Sequence, residues 1–121
     1  MSPKDVRMCV VDSLLDDEIE SLELILQGIN DEDGASWRAA RGKEFSVEEV
    51  RVALLALIEE GFVTALAERG VMHNLQPVPM SAIGKAVPWS ALWFHLRPDG
   101  RQAFANWWED EGKRKYPHPS R

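Results

Sequence analysis

Three histidines and one cysteine are the side chains best suited to nucleophilic or metal chemistry, and their spacing keeps them apart. Such chemistry needs two or three groups converging within hydrogen-bond or ligand distance. His73, His95 and His118 fall in a loop, a strand and the C-terminal stretch, and none has a partner at metal-ligand spacing. Cys9 sits on an apolar helical stripe, where a free cysteine behaves as a small hydrophobe. The run Asp31-Glu32-Asp33-Gly34 opens like a calcium loop but lacks the following ligands and the distal Glu, so it reads as a solvated turn. Glycine-rich phosphate loops are absent. The expectation is a non-catalytic protein with no cofactor, no metal and no identifiable small-molecule site.

Recognition chemistry has more to work with. Trp37, Arg38, Arg41 and Lys43 combine an aromatic face with guanidinium and ammonium groups, the set used on nucleic acids. Trp37 can equally anchor its segment in the core, with the cations solvated around it. A second basic run, Lys113-Arg114-Lys115, lies near the C-terminus. Against both stands a formal net charge of −6, which repels polyanions at long range. Residues 1–35 carry ten acids and two bases, so the rest of the chain is only slightly positive.

These side chains must be positioned by a single small domain, because 121 residues leave room for one core. Ser2-Pro3-Lys4-Asp5 is a helix start, with Ser to cap, Pro at the first helical position and an acid in the first turn. Val6, Cys9, Val10 and Leu14 extend that helix to about Leu15. Ile19, Leu22, Ile25, Leu26 and Ile29 form the stripe of a second helix, started by Asp16-Asp17 and weakened at Gly28 and Asn30. Residues 31–45 connect, with a short helical turn carrying Trp37. Ser46-Val47-Glu48-Glu49 is a capping box that starts a third helix over 47–60. Val47, Val50, Leu54, Leu57 and Ile58 make its buried stripe, and Gly61 supplies a left-handed stop. Phe62–Leu66 favours a strand, 70–88 a long loop with few charges, and Trp89–Leu96 a second strand by its alternation. Pro98-Asp99-Gly100 turns into a last helix whose stripe is Ala103, Phe104, Trp107 and Trp108. The domain is thus expected over 1–110, with 111–121 a basic, mobile tail.

Two stretches resemble the winged-helix superfamily as found in small prokaryotic regulators. Ser46–Val50 through Leu54-Leu55-Ala56-Leu57-Ile58-Glu59-Glu60-Gly61-Phe62-Val63 is similar to that family's third helix and its exit into a strand. Leu92-Trp93-Phe94-His95-Leu96-Arg97-Pro98-Asp99-Gly100-Arg101 resembles the wing's return strand and the turn into a closing helix. The resemblance implies an α+β, mostly helical fold: three helices, a two-stranded wing hairpin with a long loop, and a C-terminal helix. Two departures stand out. Arg97 occupies the place where the family commonly has a capping Thr, and the connection 30–45 exceeds the tight turn of a helix-turn-helix.

The resemblance also implies that the third helix would enter a DNA major groove. Its exposed positions are Glu48, Glu49, Arg51, Val52, Leu55, Ala56 and Glu59, an acidic and apolar set ill-matched to phosphates. Val52, Leu55 and Ala56 form an apolar strip that suits a protein partner or a homodimer, unless the 70–88 loop buries it. Met72, Leu75, Met80 and Trp93 are the further residues expected at such an interface. The expected role is a regulatory module acting by protein contact, with a DNA-binding transcriptional regulator as the alternative, held by Trp37, Arg38, Arg41 and Lys43. No signal peptide and no membrane-spanning run are found, so the chain is expected in the cytoplasm.

Overall fold

A computed structural model of the chain describes residues 1–17, 19–31, 36–69 and 74–116. Helix α1 (Pro3–Ser13) opens with a complete capping box: Ser2 Oγ accepts from the Asp5 amide and the Asp5 carboxylate accepts from the Ser2 amide. Strand β1 (Ile19–Ser21) follows, and Ser21 caps α2 (Leu22–Ile29). A short helix α3 (Trp37–Arg41) precedes α4 (Val47–Glu59), whose capping box joins Ser46 and Glu49. Then come β2 (Val63–Arg69), β3 (Asn74–Pro77) and β4 (Trp93–Leu96), with two 3₁₀ turns, Met80–Ala82 and Trp89–Ala91, between the last two strands. Helix α5 (Pro98–Trp107) runs on through a π-helical turn at Trp108–Gly112 into α6 (Lys113–Lys115).

The architecture is α+β, mostly helical, with one antiparallel sheet of order β1-β4-β2-β3. That sheet corrects the expected two-stranded hairpin. The apolar stripe puts Ile19–Ser21 at the head of the second helix, and its spacing fits one. It forms an edge strand instead because β4 offers it a partner: Ile19 pairs with His95 and Ser21 with Trp93. The expected 70–88 loop likewise contains β3, which pairs with β2 from Leu66–Pro77 to Arg69–Asn74. The second strand is shorter than expected, since Trp89–Ala91 coils into a 3₁₀ turn.

One face of the sheet closes the core. Val63, Ala65, Phe94 and Leu96 point inward onto Cys9, Val10 and Leu14 of α1, Ile25 and Ile29 of α2, and Val50, Leu54 and Leu57 of α4. Each fully buried aliphatic or aromatic side chain contributes about 1.5–3 kcal/mol. Gly61, at φ 80°, ends α4 in the left-handed region, as its position after the helical stripe predicts. Val47 departs from expectation: it is 40% exposed at the first turn of α4, outside the buried stripe. At the head of α5 the Arg97 side chain makes no capping bond. Its backbone N–H instead donates to the Phe62 carbonyl, and Gly100 packs so closely there that a Cβ would lie 2.5 Å from that oxygen.

The stretch expected as a tail from residue 111 is packed as far as residue 116. Gly112 is buried against Trp107 and Trp108, and the Tyr116 ring lies 5.7 Å from Trp37 and 6.2 Å from Trp107. Residues 117–121, the remainder of the expected tail, lie outside the described residues.

Candidate functional site

Helix α4 is held in place from its N-terminal side by the long connection that precedes it. Asn30 clamps the two ends of that connection: its Nδ2 donates to the Phe45 carbonyl at 2.8 Å, and its Oδ1 accepts from the Phe45 amide at 2.7 Å. Within the connection, Trp37 is buried and its Nε1 donates to Asp12 Oδ2 at 2.7 Å. Arg41 lies over the Phe45 ring at 4.4 Å and pairs with Glu49 at 2.5 Å. That guanidinium, with the Ser46 bonds and against partial burial, holds the Glu49 carboxyl below its usual range.

The residues expected at a nucleic-acid surface are therefore mostly engaged inward. Trp37 belongs to the core and Arg41 to Phe45 and Glu49. Arg38 reaches the Asn30 carbonyl at 3.5 Å, and it shares a hollow with Lys43 in which Asp31 and Glu44 supply compensating carboxylates. The basic run is similarly matched, since Lys113 pairs with Glu109, Arg114 donates to the Asp110 carbonyl, and Lys115 pairs with Glu111 and Asp5. Exposed pairs of this kind add little stability, but each puts a carboxylate or carbonyl beside the cation that a phosphate would need.

The residues expected at an apolar interface separate onto different surfaces. Val52, 57% exposed, and Ala56 line a groove of about 360 Å³ on the outer face of α4. Its other wall comes from the N-terminal end of α1: Met1, Pro3, Val6 and Arg7. Ala53 lines it too, Ser46, Glu48 and Glu49 flank it, and Arg7 ties to Glu60 at 3.1 Å. Leu55 lies on another flank of α4, half-buried against the core; one turn earlier on that flank Arg51 stacks over Trp89 at 5.4 Å. Met80 is exposed on the first 3₁₀ turn. Leu75 and Trp93 belong to the outer face of the sheet. There the register aligns Ser21, Trp93, Leu66 and Pro77 in one row and Ile19, His95 and Thr64 in the next. Trp93 is 37% exposed and borders a cleft with Ala67, Val78, Val87 and Pro88. Met72 lies outside the described residues.

The wall supplied by Met1, Pro3 and Val6 is the part of the groove that the sequence reading missed. Helical periodicity shows which α4 side chains point outward but not which distant segment stands beside them. The only local hint is Pro3, exposed in the first turn of a helix whose other side is strongly apolar.

Elsewhere the polar interior is structural. Asp5, buried, accepts from Trp107 Nε1 at 3.1 Å and from the Tyr116 hydroxyl at 2.7 Å, with Lys115 Nζ at 3.5 Å and the Ser2 amide at 3.4 Å. Burial pushes its carboxyl pKa up, but the bonds from Tyr116, Trp107 and Ser2 outweigh that and leave it lowered. Burial, and then the bond to Asp5, raises the Tyr116 hydroxyl above the ordinary phenol range. Cys9 is buried, and burial together with the Asp5 charge raises its thiol well above the range of a reactive cysteine. Among the described residues no three His, Cys, Asp or Glu side chains are placed to hold a metal ion. His95 is half-buried on the outer sheet face, and His73 and His118 lie outside the described residues. No described helix is long and apolar enough to cross a membrane.

Comparison of the chain with protein families, with curated proteins and with solved structures finds no match.

Proposed function

We propose that this chain is a winged-helix regulatory module without catalytic activity, and that it works by protein contact through the groove between α1 and α4. The element order supports the winged-helix reading. Helices α1, α2 and α4 pack on one face of β1-β4-β2, with β2 and β4 as the paired wing strands, β3 added at the edge beyond β2, and α5 closing the domain. The extra helix α3 and the long return from β3 to β4 are elaborations on that plan.

The observation that carries the contact reading is the apolar lining of that groove on α4, where Val52 is exposed beside half-buried Ala56 and buried Ala53. In a DNA-reading winged helix the same face would meet the major groove and would have to bring cations to the phosphates. Here it presents Glu48, Val52, Ala56 and Glu59. Exposed apolar surface with a polar rim is what protein interfaces offer before their partners arrive. The alternative, a DNA-binding regulator, retains the exposed Lys43 but loses Trp37 and Arg41 to the interior.

Site-specific photo-crosslinking tests this reading. A photoreactive side chain at position 52 is expected to capture a protein partner in cells that produce the chain. The same group at exposed position 105, on α5, is expected not to. Equal capture at both positions, or none at 52, would overturn the assignment of the groove. Mixed-sequence duplex binding with a steep salt dependence, at affinities of about 10⁻⁴ to 10⁻⁶ M, would move the function to DNA.

A further inference from the structure

We propose that the α1–α4 groove receives a short amphipathic segment of a different protein, apolar on one side and carrying lysines or arginines toward its ends. This rests on the protein-contact reading above and adds the chemistry of the occupant. The groove lining is aliphatic, with Val52, Ala53 and Ala56 from α4 facing Val6 on the α1 wall. Along α4 the lining runs from Ser46 and Glu48 to Ala56, and the exposed Glu59 follows one turn further on the same helical face. Eleven helical steps separate Glu48 from Glu59 by roughly 16 Å along the axis, the length of about three helical turns in a partner.

Charge decides between occupants. Glu48 and Glu49 line the groove, Glu60 reaches it through Arg7, and Glu59 lies one turn beyond Ala56; Glu49 is matched by Arg41 and Glu60 by Arg7. Among the described residues no cation pairs with Glu48 or Glu59, and both are exposed. A second copy seated by a two-fold axis through Val52 would bring a second pair of unmatched carboxylates to the same interface. Like charges so placed oppose association. Anionic lipid and nucleic acid meet the same repulsion. A segment with aliphatic residues for the floor and cations for the two ends satisfies both features at once, with the apolar contact giving affinity and the charges giving register.

The test uses the full chain, labelled with ¹⁵N, and three synthetic twelve-residue peptides: a Leu/Lys amphipathic helix, its Leu/Glu counterpart, and a Lys/Ser peptide of equal charge without apolar residues. The Leu/Lys peptide is expected to shift the amides of Val6, Val52, Ala53 and Ala56 and to bind at least tenfold more tightly than either control. Glu48→Lys with Glu59→Lys should weaken the Leu/Lys peptide by at least tenfold and create binding of the Leu/Glu peptide. Val52→Arg should abolish binding while leaving the urea midpoint unchanged, which separates loss of the surface from loss of the fold. Equal binding of the Lys/Ser peptide would reduce the effect to bulk charge and overturn the proposal. So would a concentration-dependent dimer with shifts at the same amides, which would name a second copy as the occupant. If no peptide binds but position 52 still crosslinks a protein, the partner class is wrong while the contact reading survives.

Discussion

Replacing Asp5 by Asn leaves the shape of the side chain intact and removes its charge at a point where four donors converge. The carboxylate accepts from the Trp107 indole and the Tyr116 hydroxyl, and it also closes the capping box with the Ser2 amide. Bonds to a charged acceptor are worth about 1.5–3 kcal/mol each. An amide keeps one oxygen and turns an N–H toward the other donor. The phenol can rotate to accept that N–H, but the indole has no such freedom. The expected cost is therefore about 2–4 kcal/mol, a large part of the 5–15 kcal/mol that typically holds a domain together. Tyr116→Phe should cost less, about 1–2 kcal/mol, because it deletes a single bond. If both side chains act through that bond, the double variant should fall short of additivity by about 1 kcal/mol or more. Urea denaturation followed by tryptophan fluorescence measures all three, with an unchanged slope as the check that the denatured state is not the cause. Additive losses, or an Asp5→Asn effect under about 1 kcal/mol, would refute the hub.

Because the Asp5 and Glu49 carboxyls are lowered by folding, their contribution is intact at neutral pH and erodes as pH falls below the ordinary carboxylate value of about 4. The urea midpoint should then drop from pH 5 to pH 3, less steeply in Asp5→Asn; a midpoint that rises toward acid would contradict the assignment. Gly28→Ala should stabilise α2 by about 0.5–1 kcal/mol, since nothing lies within 4 Å of the added Cβ. Gly112→Ala should destabilise by about 1–3 kcal/mol, because its Cβ would stand 2.7 Å from the Trp107 ring. Thermal melts of the pair decide whether the chain beyond α5 is packed as described. Cys9 should resist a thiol reagent in the native protein and react fully in denaturant; rapid native labelling would mean that α1 opens readily.

What the sequence disclosed was local. Ser2-Pro3-Lys4-Asp5 and Ser46-Val47-Glu48-Glu49 carry both halves of a capping box within four residues, so both helix starts were legible. The short helix at Trp37 and the stop at Gly61 were legible for the same reason. Strand β1 was not, because Ile19 and Leu22 keep a helical spacing and only β4, some 74 residues away, makes Ile19–Ser21 extended. Likewise β3 depends on pairing with β2 that no short window contains. In the candidate site, Val52 and Ala56 could be placed on the outer face of α4 by periodicity, but the wall from Met1, Pro3 and Val6 could not. Arg41 was ambiguous in the sequence: a cation beside a tryptophan suits a phosphate, and only the fold brings Phe45 and Glu49 to it.

The bond between Asp5 and Tyr116 also imposes a sequence of events. It joins residues 111 positions apart, whereas the outermost pair of the β2–β3 hairpin, Leu66 and Pro77, joins residues 11 apart. Closing the longer loop costs about 2 kcal/mol more in chain entropy. The hairpin can therefore form before the ends of the chain meet and before the strap from Trp108 to Tyr116 docks. Opening reverses that order, so the amides of α6 should exchange with solvent long before those of β2 and β4. Such a chain releases its C-terminal strap, and with it the start of α1 beside the groove, while the β2–β3 hairpin is still paired.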